Sequence, residues 1–442
     1  MTGRAVLIRG NALDLPIADS SVDLVVTSPP YFALRSYQDG GEHYDGQIGA
    51  EATPGEFVDA LIEATREMIR VLKPSGSIFV NLGDKYAGSN GQSGGPSQLS
   101  GATYSPDGTR TKAAKRGGFV PLTTVRPKSL IGIPWRYAIR CVDELDLILR
   151  AEIIWAKPNG LPESVTDRVS RKHEQWFHFT KEPRYYANID LIREEHKASS
   201  LARAMPHRAD VKAHEDRRTI DMKKACHPLG KAPGSWWSIP TEPLRVDPAL
   251  GVDHFAAFPT EWPRRLILGW SPEHICTACG EGRRPNAGRN CPECDAFIPN
   301  QGKECSACGF RNTEWKSQRV ANPATRAGEA DMGPLVARRS DIASRRIIEG
   351  TTCACDTPTA LTRPAIVLDP FGGTGTTAAV AKALGRTGIS VDLSADYLRL
   401  ADWRTNGPGY DKVLRKVTRS TSQPAKESIG QLNMMIDLEQ TP

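Results

Sequence analysis

The segment Ser28-Pro29-Pro30-Tyr31 has residue types that could bind a planar heterocycle bearing an amino group. It directly follows the β-branched run Val22–Thr27, which predicts a buried parallel strand. Two consecutive prolines fix the backbone and remove two N–H donors, so carbonyl oxygens remain as hydrogen-bond acceptors. The tyrosine offers a ring for stacking, and the serine offers a further acceptor. The alternative is a Pro-Pro pair that merely ends a strand.

A glycine-rich segment, Asp369-Pro370-Phe371-Gly372-Gly373-Thr374-Gly375-Thr376-Thr377, carries a second chemical signal between an apolar strand and an apolar helix. Glycines in such a turn let a ligand approach the backbone, and the helix start presents free N–H groups. The next predicted strand ends in Asp392, whose carboxylate suits the two hydroxyls of a ribose. Phe371 replaces a glycine of the dinucleotide fingerprint, which favours adenosine without a pyrophosphate. A helix-capping Asp392 on a packing turn is the alternative.

Eight of the ten cysteines lie within residues 276–355 and form four closely spaced pairs. The pairs are Cys276/Cys279, Cys291/Cys294, Cys305/Cys308 and Cys353/Cys355. The inner two pairs are ten residues apart, which is typical of a zinc ribbon with a structural Zn²⁺. The outer two pairs are predicted to close a second site, with His274 as a spare ligand. An iron–sulfur cluster and loose reduced thiols are the alternatives.

An open α/β sheet would position the first two of these segments. The predicted elements are strand 22–27, helix 56–72, turn 73–76, strand 77–82, helix 134–145, strands 151–156 and 174–180, an apolar segment at 235–240, and strands 365–369 and 388–392. Strand–helix–strand order predicts the α/β class with a doubly wound, Rossmann-like sheet. Ligands bind such sheets outside the carboxyl ends of the strands, so Thr27 and Asp369 can be neighbours.

The chain of 442 residues has ordinary globular composition, with 24% charged and 39% hydrophobic residues. No apolar stretch is long enough for a membrane helix, and the N-terminus lacks the apolar core of a signal peptide, so we expect a cytoplasmic protein. The net charge of +6 is only mildly basic, and therefore does not by itself indicate a nucleic-acid partner.

Together, the first two segments resemble the amino-methylating DNA methyltransferases, which modify cytosine N4 or adenine N6 with S-adenosylmethionine. The catalytic motif precedes the cofactor motif, as in the beta class of that family. Further matching segments span most of residues 5–190 and 235–405. They are Gly10-Asn11-Ala12, Asn81-Leu82-Gly83-Asp84, Ile154-Trp155-Ala156-Lys157-Pro158-Asn159, Lys172-His173-Glu174 and Phe255-Ala256-Ala257-Phe258-Pro259.

The resemblance implies a role for each matching residue. Ser28, Pro29, Pro30 and Tyr31 would form the catalytic tetrad, and Asp392 would bind the cofactor ribose. The remaining cofactor contacts would come from Asn11, Phe258, Asp369, Phe371, Gly373, Gly375 and Thr376. Phe258 and Pro259 would lie on a helix that closes the methionine side, and Asn11 stands where the family commonly has aspartate.

The resemblance and the composition predict a division into eight segments. These are the catalytic half of the methyltransferase domain (1–84), a flexible basic loop (85–128), the domain continued (129–190), a target-recognition insertion (191–235), a cofactor-side helix segment (236–275), a zinc-binding insertion (276–355), the S-adenosylmethionine-binding half (356–407) and a polar, poorly ordered tail (408–442). From Thr109 to Lys128 there are six basic residues and no acidic one, so the loop is either a solvated segment or an arm for the phosphate backbone.

The predicted reaction places the target amine against acceptors at Ser28 and Pro29, without a covalent intermediate. The sequence contains no Pro-Cys pair, which argues against methylation at cytosine carbon-5. Double-stranded DNA is the expected substrate, with the target base flipped out. Serine at the first tetrad position favours cytosine N4 over adenine N6.

The resemblance leaves a homodimer and a cognate restriction endonuclease open as partners, in a bacterial or phage-encoded modification system. An alternative of another class is a non-catalytic zinc-ribbon protein that binds nucleic acid and carries a degenerate α/β domain. Loss of cofactor binding would distinguish that protein from an enzyme.

Overall fold

A computed structural model shows how these segments are arranged. It describes residues 3–32, 38–39, 42–43, 47–87, 125–160, 162–200, 229–244, 246, 250, 257–290, 294, 297–299, 307–308, 347–353, 355 and 360–421. Most of the predicted basic loop 85–128 and of the insertion 191–235 lies outside the described residues. The chain divides into two compact units, one of residues 1–273 and 364–442 and the other of residues 274–363.

The strands and helices of the described residues are as follows. The strands are β1 (Arg4–Arg9), β2 (Val22–Thr27), β3 (Gln38–Asp39), β4 (Glu42–His43), β5 (Leu72–Leu82), β6 (Ile148–Ala156), β7 (His173–Thr180), β8 (Trp236–Ser238), β9 (His274–Cys276), β10 (Arg284–Asn290), β11 (Phe297–Pro299), β12 (Ile347–Thr352), β13 (Thr362–Pro364), β14 (Ile366–Asp369) and β15 (Thr387–Asp392). The helices are α1 (Pro54–Val71), α2 (Ile133–Leu145), α3 (Glu261–Trp270), α4 (Thr376–Ala383), α5 (Ala395–Thr405) and α6 (Tyr410–Thr421), with a 3₁₀ turn at Ile189–Ile192.

The larger unit is built on a mixed, mostly parallel sheet. Within the described residues its strand order is β1-β15-β14-β2-β5-β7-β6-β8. The pairs from β1 to β5 are parallel, whereas β7 is antiparallel to both β5 and β6. The predicted strands 151–156 and 174–180 are therefore present as the antiparallel neighbours β6 and β7, and the predicted α/β class is confirmed.

Helices cover both faces of this sheet. Neighbouring residues of β2 point to opposite faces, so Val25 belongs to the core cluster that includes residues of α1 and α2. Val26 belongs to the cluster that includes residues of α3, α4 and α6. The helix α1 is well specified locally, because Thr53 and Glu56 form a reciprocal capping box at its start. None of the helices in the described ranges combines the length and apolar character needed to cross a membrane.

The predicted turn at residues 73–76 is wrong. The strand β5 begins at Leu72, directly after α1, and continues to Leu82. Its pairing with β2 shifts between Val22↔Leu72 and Leu24↔Ser77, so the extra residues are absorbed as an irregularity in the strand. Pro74 and Gly76 therefore lie in an irregular part of β5, next to the parallel strand β2, and not in a turn.

The expectation of a poorly ordered tail after about residue 407 is also wrong over its first part. Residues Tyr410–Thr421 form α6, whose Val413 and Val417 are 4% and 1% exposed. Both valines pack in the same cluster as α4. Their spacing of four residues places them on one helical face, which is the signal that overall polarity hid.

The smaller unit, residues 274–363, contains short strands. In its described residues β10 pairs antiparallel with β11 and β12, and β9 pairs with β13. The strands β9 and β12 carry or precede two of the predicted cysteine pairs. The arrangement of those cysteines is described with the sites below.

Candidate active site

The predicted catalytic and cofactor segments follow neighbouring parallel strands. The tetrad follows β2, the glycine-rich segment follows β14, and β15 ends at Asp392. These strands are adjacent in the order β15-β14-β2, and Asn11 follows the outer strand β1. Because parallel strands end at the same edge of a sheet, the structure brings all of these segments to one edge.

The tetrad lies in a hydrogen-bond network with two other strands. Ser28 Oγ donates to Asn81 Oδ1 at 3.2 Å, and the Tyr31 hydroxyl lies 3.0 Å from the same oxygen. The Tyr31 hydroxyl also donates to Glu174 Oε2 at 2.8 Å. Pro29 is buried, while Ser28, Pro30 and Tyr31 are half-buried. The polar atoms of the tetrad therefore face a partly accessible position at the sheet edge.

Asp369 joins the cofactor segment to the catalytic strand. Its carboxylate accepts hydrogen bonds from Thr27 Oγ1 at 2.6 Å, from Thr377 Oγ1 at 2.9 Å and from the Phe371 N–H at 3.2 Å. The side chain is 1% exposed. Burial raises the pKa of Asp369 to about 6, although the two threonine hydroxyls oppose the rise. The carboxylate thus faces the protein interior next to the tetrad.

The glycine-rich turn approaches its surroundings closely. Gly373 and Gly375 have positive φ values of 48° and 71°, which favour glycine. A Cβ on Gly372 would lie 1.8 Å from Ser390 Oγ. That hydroxyl is buried and has no hydrogen-bond partner within the described part of the chain.

A buried arginine of α5 forms hydrogen bonds with this turn. Arg404 Nη1 donates to the Thr374 carbonyl at 2.9 Å, to Thr374 Oγ1 at 2.5 Å and to Thr376 Oγ1 at 2.7 Å. Burial lowers the pKa of Arg404 to about 10, so the guanidinium remains charged at neutral pH. The predicted cofactor residue Thr376 therefore has its hydroxyl against Arg404.

Asp392 is hydrogen-bonded to the backbone of the glycine-rich turn. Its Oδ2 accepts from the Gly373 N–H at 2.7 Å, and its Oδ1 accepts from the Ser394 N–H at 2.8 Å. Its carbonyl accepts from the Gly10 N–H at 3.1 Å, which places the segment of Asn11 beside it. Asn11 Oδ1 accepts from the Leu13 N–H at 3.0 Å.

Phe258 and Pro259 precede α3, whereas the resemblance predicted them on a helix. Phe258 packs edge-on against Trp176, which stacks on Trp262 with 4.8 Å between the ring centroids. A cavity of about 470 Å³ lies nearby. Its lining residues are Ser238, Ile239, Pro240, Thr241, Glu242, Pro243, Pro259, Glu261 and Arg265.

The outer cysteine pairs come together in the smaller unit. The sulfur atoms of Cys276, Cys279, Cys353 and Cys355 all lie within 4.8 Å of one another. This is the donor set of a tetrahedral metal site with four thiolates. Of the inner pairs, Cys294 and Cys308 are exposed, and Cys291 and Cys305 lie outside the described residues.

Sequence reasoning did not assign roles to Asn81, Glu174, Thr27 or Arg404. Asn81 is a polar residue inside the apolar run of β5, and it is 1% exposed. A buried amide in an apolar strand indicates a specific partner, so this signal was readable. The pairing of Arg404 with the glycine-rich turn left no such signal in the sequence.

Comparison with known proteins identifies the family. Residues 22–276 and 345–402 match the N6/N4 methyltransferase family model, which is described as DNA methylase. The chain therefore belongs to this family of DNA amino-methyltransferases.

The chain is also similar to individual methyltransferases. Type II methyltransferase M.Cfr9I of Citrobacter freundii is 34% identical over 268 residues, which are 60% of this chain and 72% of that protein. Type II methyltransferase M.SmaI of Serratia marcescens is 34% identical over 255 residues, covering 57% and 70% of the two chains. A solved structure of PvuII DNA methyltransferase (cytosine-N4-specific) aligns with 95% of this chain and 94% of its own, at 16% identity and a TM-score of 0.47.

Proposed function

We propose that the protein is a site-specific DNA methyltransferase that transfers a methyl group from S-adenosylmethionine to an exocyclic amine, most favourably N4 of cytosine. The observation that carries the proposal is the position of the Ser28–Tyr31 segment next to the glycine-rich turn, linked to it through Thr27 and Asp369. The type II relatives support a role in a restriction–modification system, with DNA as the substrate.

The tetrad would act by orienting the amine. Since Ser28 donates its hydrogen to Asn81, the lone pairs of Ser28 Oγ are left to accept from the N–H of the target. Pro29 contributes a rigid backbone and Tyr31 a stacking surface for the flipped base. Hydrogen bonds from the amine to these protein acceptors would draw the nitrogen lone pair out of conjugation with the ring. The positioning of the amine against the methyl donor would supply the rest of the catalysis.

The residues at the sheet edge fit S-adenosylmethionine. A turn with glycines of positive φ, the N-terminus of α4 and the carboxylate of Asp392 form a cradle for a nucleoside without a pyrophosphate. When bound, the cofactor supplies an electrophilic sulfonium methyl. Asp392 would accept from the ribose hydroxyls, while Asn11 and Phe371 would flank the base and Gly373, Gly375 and Thr376 would line the turn.

Phe258 and the cavity beside Pro259 would hold the methionine end. Glu242 and Glu261 line that cavity. Burial raises the pKa of Glu242, but the hydrogen bonds from Lys416 and Thr260 together lower it by more than burial raises it. The pKa of Glu242 therefore lies below its ordinary value. An ionised carboxylate there would attract the ammonium group of the amino-acid moiety.

Zinc would have a structural role in the smaller unit. Cys276, Cys279, Cys353 and Cys355, the predicted second site, would hold one Zn²⁺. The zinc ribbon of the inner pairs Cys291/Cys294 and Cys305/Cys308 stays a prediction. Metal analysis should find one to two equivalents of zinc, with the Cys353→Ser variant losing one. Cys141→Ala changes a buried cysteine of α2 and should keep the wild-type content. Equal zinc content in all three proteins would contradict the assignment.

The remaining roles follow the predicted segments. We propose that residues 191–235 read the target sequence, assisted by the basic loop 85–128, because basic and polar side chains there suit phosphate and base contacts. The type II relatives also suggest two partners, a second copy of this chain and a cognate endonuclease. Co-purification would test both.

Nucleoside mass spectrometry tests the function. Unmethylated DNA incubated with the protein and S-adenosylmethionine should yield N4-methylcytosine. Detection of N6-methyladenine would agree with the proposed mechanism but overturn the choice of cytosine as the target base. Absence of both methylated nucleosides on DNA from several genomes would contradict the proposed function.

Two tetrad variants test the assigned roles. Ser28→Ala and Tyr31→Ala should lose product while calorimetry still detects cofactor binding. Ser21→Ala, at the opposite end of β2, should behave as wild type. Loss of cofactor binding in the tetrad variants would contradict their roles.

A further inference from the structure

We propose that Glu174, paired with Lys157, is a positioning residue that fixes Tyr31 and thereby keeps Ser28 a hydrogen-bond acceptor. The inference rests on the proposed methyl transfer and assigns two residues that the tetrad itself does not include. Glu174 touches Tyr31 and not the reacting atoms, so its effect passes through the tetrad.

The ion pair joins β7, which carries Glu174, to Lys157, the residue directly after β6. Glu174 lies opposite Trp155 in the pairing of β6 with β7, and the Lys157 N–H donates to the Lys172 carbonyl at 2.9 Å. The ammonium of Lys157 pairs with Glu174 Oε1, and the two side chains are 20% and 14% exposed. Lys157 also lies over the Trp155 ring, 4.2 Å from its centroid. Both charges are therefore fixed on rigid elements and largely shielded from water.

The second carboxylate oxygen of Glu174 determines where the tyrosine hydrogen points. The Tyr31 hydroxyl has one hydrogen, and both Glu174 Oε2 at 2.8 Å and Asn81 Oδ1 at 3.0 Å lie within hydrogen-bond distance of it. A hydrogen bond to a charged acceptor is roughly twice as strong as a neutral one, so the hydrogen goes to Glu174.

This choice leaves Asn81 for the serine. The Asn81 amide cannot turn away, because its Nδ2 donates to the Gln175 carbonyl at 3.0 Å. Its Oδ1 is therefore directed at Ser28 Oγ, 3.2 Å away, and accepts the serine hydrogen. Ser28 then presents lone pairs to a ligand. Without the charge on Glu174, the tyrosine hydrogen would turn to Asn81 Oδ1. That oxygen would then accept from both hydroxyls and hold the serine hydrogen less firmly.

Gly83 restricts the ring of Tyr31 further. A Cβ at this position would lie 2.8 Å from Tyr31 Cε2, so the backbone lies directly against the ring. The ring is held at its hydroxyl by Glu174, and its Cε2 and Cδ2 atoms lie close to Gly83. Such a preorganised surface binds a flipped base without first losing its own rotational freedom.

Steady-state kinetics of the purified full-length protein on unmethylated genomic DNA tests the proposal. Glu174→Gln and Lys157→Met should each lower kcat by about 10- to 100-fold, the range for a lost charge-assisted hydrogen bond. The KM for S-adenosylmethionine should stay within about twofold of wild type, because the cofactor segment is unchanged. Lys73→Met breaks a similarly buried ion pair with Asp23 at the start of β2 and should leave kcat unchanged.

A double-mutant cycle separates positioning from general stability. In a Tyr31→Phe background the hydroxyl is gone, so adding Glu174→Gln should lower kcat by less than about threefold more. Full additivity of the two substitutions, or an unchanged kcat in Glu174→Gln, would overturn the proposal. Absence of methylated product from the wild-type protein would instead count against the proposed function, so the two failures are distinguishable.

Discussion

Replacing Asp369 with asparagine should alter how the stability of the protein depends on pH. The carboxyl group is 1% exposed, and its pKa of about 6 is well above the ordinary value of 3.8, chiefly because burial penalises the charged form. Since the pKa is higher in the folded than in the unfolded state, the folded state binds this proton more tightly. The resulting stability is fully present below about pH 4 and is lost as the pH rises through about 6.

The difference between the two pKa values corresponds to about 3 kcal/mol. Asparagine does not titrate, so the free energy of unfolding of Asp369→Asn relative to wild type should rise by about 2.5 kcal/mol between pH 4 and pH 8, the remainder developing below pH 4. From pH 5 to pH 8 the rise should be about 1.5 kcal/mol, because part of the titration then falls outside the window.

Urea unfolding followed by tryptophan fluorescence at several pH values measures this difference. Thr27→Val provides an internal check, because it removes the 2.6 Å hydrogen bond that lowers the pKa of Asp369. The loss of stability in Thr27→Val should therefore extend to higher pH than in wild type. A pH-independent difference between Asp369→Asn and wild type would refute the reasoning.

Two further predictions concern the cofactor turn and the last helix. Gly372→Ala should weaken S-adenosylmethionine binding at least about tenfold by calorimetry, because its Cβ would meet Ser390 Oγ at 1.8 Å. Gly55→Ala, with only Thr53 Oγ1 at 3.8 Å, should not, and equal affinities in the two variants would contradict the steric argument. Val417→Ala should destabilise the protein by about 2 kcal/mol in urea, whereas a frayed α6 would give no change.

Local patterns predicted the central elements of the fold well. The run Val22–Thr27 is buried at every position, as a parallel strand covered on both faces requires. The apolar spacing of α1 gave its position to within two residues at its start. The helix α6 was missed because only two valines of that polar segment are buried, so the average polarity outweighed a short apolar face.

Contacts between distant segments were beyond sequence reasoning. The motifs around Lys157 and Glu174 were visible as segments, but their ion pair depends on the register of β6 with β7. The register of an antiparallel pair is set by packing across the whole sheet, not by local residue type. The same holds for Arg404, whose three hydrogen bonds to the glycine-rich turn depend on how α5 docks.

The hydrogen bond between Thr27 and Asp369 connects the two chemical halves of the larger unit. These residues are 342 positions apart in the chain, yet they end adjacent parallel strands, with Leu368 opposite Val25. The tetrad begins one residue after Thr27, and the glycine-rich turn begins one residue after Asp369. A slip in the register of β2 with β14 would therefore move the proposed methyl donor relative to the proposed acceptor. We conclude that the sheet register, rather than the order of motifs in the chain, determines the distance over which the methyl group would be transferred.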